Sequence, residues 1–577
     1  MFPVQRLCAR HAVWARRDET SAARRESSRK SGFAGIALAN AARFAETTRS
    51  VNRLPLLALV CLSGFATRLE AQLTLADVQT VIAQAVTRAT ALSNSPLATN
   101  AVIAVTDREG WVLGVWALNT NASVPTDLIA NAIAKAGTAA FLSSDEHAFS
   151  TRTAGFIVQQ NFPPGVQNKP PGPLVGVNFS QLAFSDINKF KAPGSVISYG
   201  SSPGLTLVAP PLPISGGLAG TPGGLPLYKA GKLVGGVGVT GDGDGPLDIT
   251  PQTIANADSD EDVALAGQTG FAPAEKVFGS KVTIDGIRVA YVNSSTSLGA
   301  VIPFASLPGT NVGPYALMAA PPPFAYPTPT LGGLTGELRQ PIVADPSAVA
   351  LPAGTARLTA TEVTNIIAAA ANRARTTRAG IRLPRGRQMQ VFISVVSDPG
   401  VDGVPPVVLG SFCTSPDTTR FSWDVSVQKA RTAVFFSSTN RAYSARAVGF
   451  LSQSLYPPGI AGTQPGLFFS LQDRFSIITP ASVLVTNPVN GAVFSTSTNV
   501  NPNLPNGITI FPGGFPLYRN GVLIGAIGVS GDGIDQDDIV GASGAALFPP
   551  PDAIRSDRMQ YRGARLPYAK FPRNPAL

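Results

Sequence analysis

GGLPLYKAGKLVGGVGVTGDG (Gly223–Gly243) contains G-V-G-V-T-G, a literal match to the dinucleotide pattern G-x-G-x-x-G. GGFPLYRNGVLIGAIGVSGDG (Gly513–Gly533) repeats it at 13 of 21 positions. A dinucleotide fingerprint needs a strand, then the glycines, then a helix, all within a parallel β-α-β unit. Here the apolar alternation reads instead as a hairpin: strand P-L-Y, turn K-A-G or R-N-G, strand L-V-G-G-V-G-V. Asn520-Gly521 suits a two-residue turn in which both central positions take positive φ. The glycines thus fall inside the second strand. The residues directly after that strand in the first copy, G-D-G-D-G-P, read as unable to open a helix. In the second copy Ala526 replaces the first glycine of the match. The expectation is that these glycines let a helix or another subunit pack closely on the strand.

The repetition extends well beyond the hairpin. LTLADVQTVIAQAVTRA (Leu73–Ala89) matches LTATEVTNIIAAAANRA (Leu358–Ala374), and Lys135–Gly165 matches Lys429–Gly459 without a gap. KVTIDGIRVAYVN (Lys281–Asn293) pairs with RMQYRGARLPYAK (Arg558–Lys570). The order never permutes, so this is a duplicated domain and not a solenoid. Within a unit, helical spacing at Leu75, Val78, Val81, Ile82, Ala85 and Val86 follows a capping-box-like Thr74 and Asp77. AVIAVTDREGWVLGVWAL (Ala101–Leu118) reads as two strands around D-R-E-G, and Leu128–Phe141 as an Ala-rich helix. The unit is helix, hairpin, helix, long Pro/Gly/Asn loop, hairpin, short helix. This order predicts an α+β fold, an antiparallel sheet flanked by helices.

Composition bounds the function. Only 14% of residues are charged, while 57 Gly and 50 Pro accompany 44% hydrophobic content, which points to globular domains with turn-rich connectors rather than disorder. Of the net charge of +10, residues 1–72 carry +7. The near-neutral body and the lack of a basic stripe with interleaved aromatics exclude nucleic acid as a partner. Arg49 and Arg53 precede the apolar run Leu54–Ala66 and a small residue at Ala71. This predicts a basic leader at 1–50, with Val51 as initiation point, and a secretory signal at 51–71 cleaved before Gln72. The expected destination is a bacterial periplasm or the exterior, with no stable membrane span after cleavage. Cys413 and His147 are then the only mature cysteine and histidine, which excludes an intramolecular disulfide and a Cys/His zinc site. The remaining boundaries are a first domain at 72–293, a Pro-rich linker at 294–355, a second domain at 356–571 and a tail at 572–577.

The opening helix, A-V-x-D-x-x-G (Val105, Asp107, Gly110), K-A-x-T-A (Lys135, Ala136, Thr138, Ala139) and the Gly-rich hairpin together resemble the GlcG/HbpS-like family of small haem-binding proteins, which includes the PduO C-terminal domain. Asp398 and Gly400, Lys429, Ala430, Thr432, Ala433 and Gly513–Gly531 carry the resemblance in the second copy. It implies two tandem profilin-like domains, a pseudo-dimer within the chain or a homo-oligomer, and haem or a related tetrapyrrole as the ligand. The middle loops, Pro163–Thr221 and Pro457–Pro512, are much longer than in single-domain members of that family, so a binding groove can be rebuilt here.

The repeated polar residues Lys135, Thr138, Arg152, Lys429, Thr432 and Arg446 are the cofactor-binding candidates. Each lysine can meet a haem propionate or pair with Asp107 or Asp398. Thr138 and Thr432 face a ligand or cap a helix end, and the arginines hold carboxylates or anchor the following loop. His147, opposite Arg441 in the second copy, reads as a solvated histidine just past a helix, and Cys413 as a small buried residue. Asp242, Asp244, Asp532 and Asp535 lie near glycines at a spacing that suits hard ligands for Ca²⁺, yet neither loop completes an EF-hand, and turn-forming aspartates fit as well. No Ser-His-Asp set, H-E-x-x-H, G-x-S-x-G or paired-carboxylate motif recurs, so a non-enzyme is expected. Two other classes stay open: an assembly module without a cofactor, and a weak enzyme acting on small organic acids.

Overall fold

The computed structural model describes residues 71–120, 124–175, 219–243, 250–313, 315–323, 325–469, 484–486, 493–495, 504 and 508–570. The basic leader, almost all of the signal segment, Asp244 and the 572–577 tail lie outside them, as does most of both middle loops.

In the first repeat α1 (Leu75–Ala91) starts at Thr74, whose side chain accepts from the Asp77 amide while the Asp77 carboxylate accepts from the Thr74 amide. β1 (Val102–Asp107) and β2 (Val112–Ala117) form the first hairpin. α2 (Thr126–Leu142) and the short α3 (Thr151–Ile157) follow. β3 (Gly224–Lys229) and β4 (Lys232–Thr240) form the Gly-rich hairpin, then α4 (Ser259–Gly267) and the two-residue edge strand β5 (Thr310–Asn311). The second repeat runs β6 (Glu337–Gln340), α5 (Ala360–Arg375), β7 (Val391–Ser397), β8 (Val408–Cys413), α6 (Phe421–Phe435), α7 (Ala445–Leu451), β9 (Gly514–Arg519), β10 (Val522–Gly531) and α8 (Ile534–Ala545). Each repeat holds one five-stranded antiparallel sheet, ordered β3-β4-β1-β2-β5 and β9-β10-β7-β8-β6. With helices on both faces, each is the expected α+β, profilin-like unit. β5 and β6 come from residues 294–355, so the segment between the repeats closes an edge of each sheet.

Side chains alternate across a strand, and in β4 the alternation is between Val and Gly. Val237 and Val239 face the core that α1 and α4 cover. Gly236 and Gly238 face α2, where an added Cβ on Gly238 would lie 2.1 Å from the Ala132 carbonyl oxygen and one on Gly236 2.2 Å from that of Ala136. In the second repeat a Cβ on Gly528 would lie 1.9 Å from the Ser426 carbonyl oxygen, whereas Ala526 fits in the buried apolar cluster against α6. The occupant of the glycine face is therefore a helix of the same repeat. Every sheet partner of the Gly-rich strands is antiparallel, which rules out the dinucleotide unit. In the second repeat a helix follows the glycines at once, Gly533 being the residue before α8. The turns Ala230-Gly231 and Asn520-Gly521 have positive φ at both positions, as the hairpin reading requires.

The two repeats touch directly. Phe141 of α2 packs against Phe421 of α6, and Val425 and Ile381 join the same cluster. Arg382 donates to the carbonyl oxygens of Ser143 at 2.5 Å and Leu142 at 3.3 Å, and pairs through Nη1 with Asp532 at 2.9 Å. Glu109 in the first hairpin meets Arg420 at 2.6 Å, and its neighbour Arg108 pairs with Asp417. Among the described residues no helix is long and apolar enough to cross a membrane.

A methyl group on Gly238 or Gly528 must push α2 or α6 off its sheet. Gly238→Ala and Gly528→Ala are each expected to lose about 1–3 kcal/mol of stability in urea unfolding. Gly299→Ala, with nothing near its added carbon, should stay within about 0.5 kcal/mol of the parent chain.

Candidate functional site

One buried corner recurs in both repeats. There the end of β4, the entry to β3, the middle of α2 and the first turn of α4 meet. Lys135 lies on the helix flank that grips β4, and its Nζ donates to the Val239 carbonyl oxygen at 3.0 Å and to Asp260 Oδ2 at 2.7 Å. Lys429 repeats this with Val529 at 2.7 Å and Asp537 at 2.8 Å. All four side chains are fully enclosed. The lysines therefore do not pair with Asp107 and Asp398, the alternative that the sequence allowed. Asp107 accepts from the Trp111 amide and Asp398 from the Gly400 amide, each closing its own turn. Gly223 and Gly513 enter the corner with φ of +110° and +114°. A Cβ on either would crowd both the carbonyl oxygen and the aspartate.

The next acidic residue takes the repeated arginine. Arg152 grips Glu261 with two bonds, Nε–Oε1 at 2.8 Å and Nη2–Oε2 at 2.9 Å, and also donates to the Ile254 carbonyl oxygen. Glu261 Oε2 in turn accepts from the amides of Asn293 and Ser294. Arg446 holds Asp538 and Asp535, and Asp538 accepts from the amides of Gly513 and Lys570. The arginines thus tie the end of each repeat to the helix after the hairpin. Thr138 and Thr432 accept from the amides of Ala219 and Thr509, pinning the chain as it leaves the middle loop. The structure brings all six sequence-derived candidates into internal contacts, and the carboxylate partners of the charged ones sit on α4 and α8.

The electrostatics of the two corners differ. Burial opposes the Lys135 ammonium, yet the carboxylates of Asp260, Asp258 and Asp242 outweigh it and hold its pKa above the ordinary lysine value. At Lys429 burial wins: Asp537 and Asp538 offset it only in part, Arg446 repels it, and the pKa falls. Burial raises Asp260 well above the usual carboxylate range and pushes Asp537 up to about 7.

Three of the Ca²⁺ candidates lie among the described residues. Asp532 is buried, pairs with Arg382 and accepts from the Gln390 amide at 2.7 Å; Asp535 pairs with Arg446 and Lys570. Cationic side chains already fill the places a metal would take. Asp242 gathers instead with Asp258 and Asp260, one carboxylate oxygen of each within 4.8 Å of the others. His147 is not a freely solvated residue: it is half-buried between the repeats, with Nδ1 2.9 Å from the Ile381 carbonyl oxygen. Because a carbonyl only accepts, Nδ1 carries the proton and the Nε2 lone pair is left over. Burial lowers the His147 pKa, so the ring is neutral at pH 7. Cys413 is buried, with its thiol pKa raised by that burial.

Two measurements test this corner. Lys135→Met strands a buried carboxylate and is expected to lose about 3–5 kcal/mol of stability, most of it recovered in Lys135→Met/Asp260→Leu. Burial, partly offset by Arg382, places Asp532 at about 6 against an ordinary 3.8, so the folded chain holds this proton more tightly than the unfolded chain. The stability it contributes is complete below pH 4 and lost as the pH rises through 6. Urea midpoints should therefore show the parent chain losing up to about 3 kcal/mol more than Asp532→Asn between pH 4 and 7.

The family model described as "Haem degrading protein HbpS-like" matches residues 73–250 and again 358–546. Similar solved structures include a PduOC:haem complex, at 21% identity over 33% of this chain and 96% of that one, TM-score 0.21. A double mutant of Streptomyces reticuli HbpS shows 18% identity over 36% and 97%, TM-score 0.21. Klebsiella pneumoniae protein ORFY shows 20% identity over 36% and 95%, TM-score 0.17. No curated protein sequence matches the chain. The two matched regions make up more than half of the chain and contain Lys135, Arg152, Lys429 and Arg446; the chain belongs to the HbpS-like family, in two tandem copies.

Proposed function

We propose that the chain binds haem or a related tetrapyrrole without turning it over, as an exported protein whose two repeats form a pseudo-dimer. The observation that carries the ligand is the family match in both copies, which is described by haem chemistry. Export is supported by the apolar run Leu54–Ala66 behind Arg49 and Arg53 and by the lone mature cysteine. The pseudo-dimer is supported by the Phe141–Phe421 and Arg382 contacts between the repeats.

Haem makes two demands on a protein: an axial ligand, and partners for its propionates. The neutral imidazole of His147, its Nδ1–H held by a carbonyl, has the arrangement of a ligating histidine. It is the residue here whose chemistry fits the iron. Lys135, Arg152, Lys429 and Arg446 fit the propionates poorly, since their buried charges already have carboxylate partners. Their role in this reading is to hold the corner that frames the site. When bound, haem supplies the iron and its redox chemistry. The chain supplies one nitrogen and an enclosed contact between repeats.

Haemin added to the chain from Gln72 onward should give a saturable Soret shift at one equivalent, weakened in His147→Ala. Arg441→His, at the exposed counterpart in the second repeat, tests whether a second equivalent can be added. Two equivalents in the parent chain, or an unchanged shift in His147→Ala, would remove His147 as the ligand. A shift no larger than with a nonspecific carrier would overturn the ligand and leave an assembly module. Progressive bleaching of the Soret band would mark turnover instead of holding.

A further inference from the structure

We propose, on the reading that His147 holds the iron, that Arg385 and Arg387 of the second repeat bind the propionates of the same tetrapyrrole. The segment between α5 and β7 carries six arginines from Arg373 to Arg387 and no acidic residue among them. It runs out and back as a ribbon. The Ala379 amide donates to the Arg387 carbonyl oxygen at 2.7 Å, and the Met389 amide to that of Thr377 at 2.9 Å. The chain reverses at Pro384–Arg387, where the Arg387 amide donates to the Pro384 carbonyl oxygen at 3.0 Å and Gly386 has a φ of +91°. Positive φ at the third position is what a type II turn needs of its glycine. Such a turn presents Arg385 at its tip and Arg387 at its exit, and both are exposed.

The same ribbon fixes the imidazole. Ser144 Oγ donates to the Arg382 carbonyl oxygen at 2.6 Å and accepts from the Glu146 and His147 amides at 3.1 and 2.9 Å. With the Ile381 carbonyl oxygen on His147 Nδ1, the turn Ser144–His147 is held to the second repeat at both ends. Arg387 reaches across to Glu146, next to His147, through Nε at 3.1 Å and through Nη2. Both N–H groups of its Nη1 remain for another acceptor. Arg385 makes no side-chain bond among the described residues, so its guanidinium is open to an anion. Guanidinium groups suit carboxylates, and exposed ones bind them without the loss of a buried partner that Lys135 or Arg152 would suffer. Lys232, another exposed cation at this turn, holds Asp145 at 2.7 Å and belongs to the first repeat. Neither repeat has both halves of the site. The stretch between α1 and β1, LSNSPLATNA (Leu92–Ala101), has no lysine or arginine, and Arg441 stands in the second repeat where the first has His147. The site is therefore single and divided, with its nitrogen from one repeat and its cations from the other.

The test is Soret titration of the full chain with haemin and with haemin dimethyl ester, whose propionates carry no charge. The parent should prefer haemin. Arg385→Gln and Arg387→Gln are each expected to weaken haemin binding about fivefold, while the ester's affinity and the Soret position stay unchanged. His147→Ala should weaken both ligands alike. Circular dichroism matching the parent's shows that the variants fold. Because Arg387→Gln also breaks the pair with Glu146, a loss shared by the ester would mark a structural role alone and overturn the assignment. An equal loss of haemin in Lys232→Gln would do the same, since it would reflect only the general field of the surface. If the parent binds the ester as tightly as haemin and still requires His147, the arginines fall and the iron site stands. No saturable shift with either ligand would overturn both.

Discussion

The backbone of β4 lies against the backbone of α2 with only glycine hydrogens between them, and most of the repeat's architecture depends on that approach. It sets the distance between helix and sheet, and so decides which residue types can occupy the helix flank: Ala132 and Ala136 at the contact, Lys135 beside it. At this separation the lysine stem is buried along its length and its ammonium reaches the carbonyl at the end of β4. A buried ammonium demands a carboxylate, which recruits Asp260 at the start of α4 and thereby fixes that helix on the opposite side of the hairpin. One steric constraint thus leads to an electrostatic one. The second repeat preserves both, although Ala526 shows that the contact tolerates a methyl group two residues before Gly528.

The polar network around the corner shares the work among elements far apart in the chain. Arg152 and Arg446 each hold the helix after the hairpin, and through Glu261 and Asp538 they hold the strand-like tail of each repeat. Since the tail also accepts from Ser150 or Ser444 at the start of α3 or α7, the ends of each repeat close on its middle. Charged pairs buried this completely contribute less to net stability than to a unique arrangement, because their removal leaves an unpaired partner in a low-dielectric interior.

Much of this is legible in the sequence. Periodicity marks α1 and α2, the Thr74–Asp77 capping box marks the start of α1, and Asn520-Gly521 marks the hairpin turn. Duplication makes each reading twice, which is why the Gly-rich strand is separable from a nucleotide fingerprint. The partners of Lys135 and Lys429 are not legible, because they lie 125 and 108 residues away and tertiary pairing leaves no local pattern. A signal does exist: adjacent acids come after the hairpin in both copies, Asp260-Glu261 and Asp537-Asp538. The edge strands β5 and β6 are hidden for another reason. Two to four residues are too few to show alternation, and proline-rich surroundings read as a connector. The helix directly after Gly533 is hidden because one glycine, in a conformation open to few other residues, makes the turn from strand to helix.

The two copies diverge most where they meet. The segment before β7 carries Ile381 and Arg382 into the first repeat, where they bind His147, Ser143 and Leu142, while the first repeat sends nothing equivalent from Leu92–Ala101. A symmetric pair would place the same groups at both corners. Here Asp532 meets the Arg382 guanidinium, its counterpart Asp242 gathers with Asp258 and Asp260, and only one repeat has an imidazole at the contact. This one-sided segment makes Arg382 the clasp between the repeats, reaching from the second into the first. The contact between the repeats and the orientation of the imidazole are then coupled through neighbouring residues, because the carbonyl that holds His147 Nδ1 belongs to Ile381, next to the arginine that locks the repeats together.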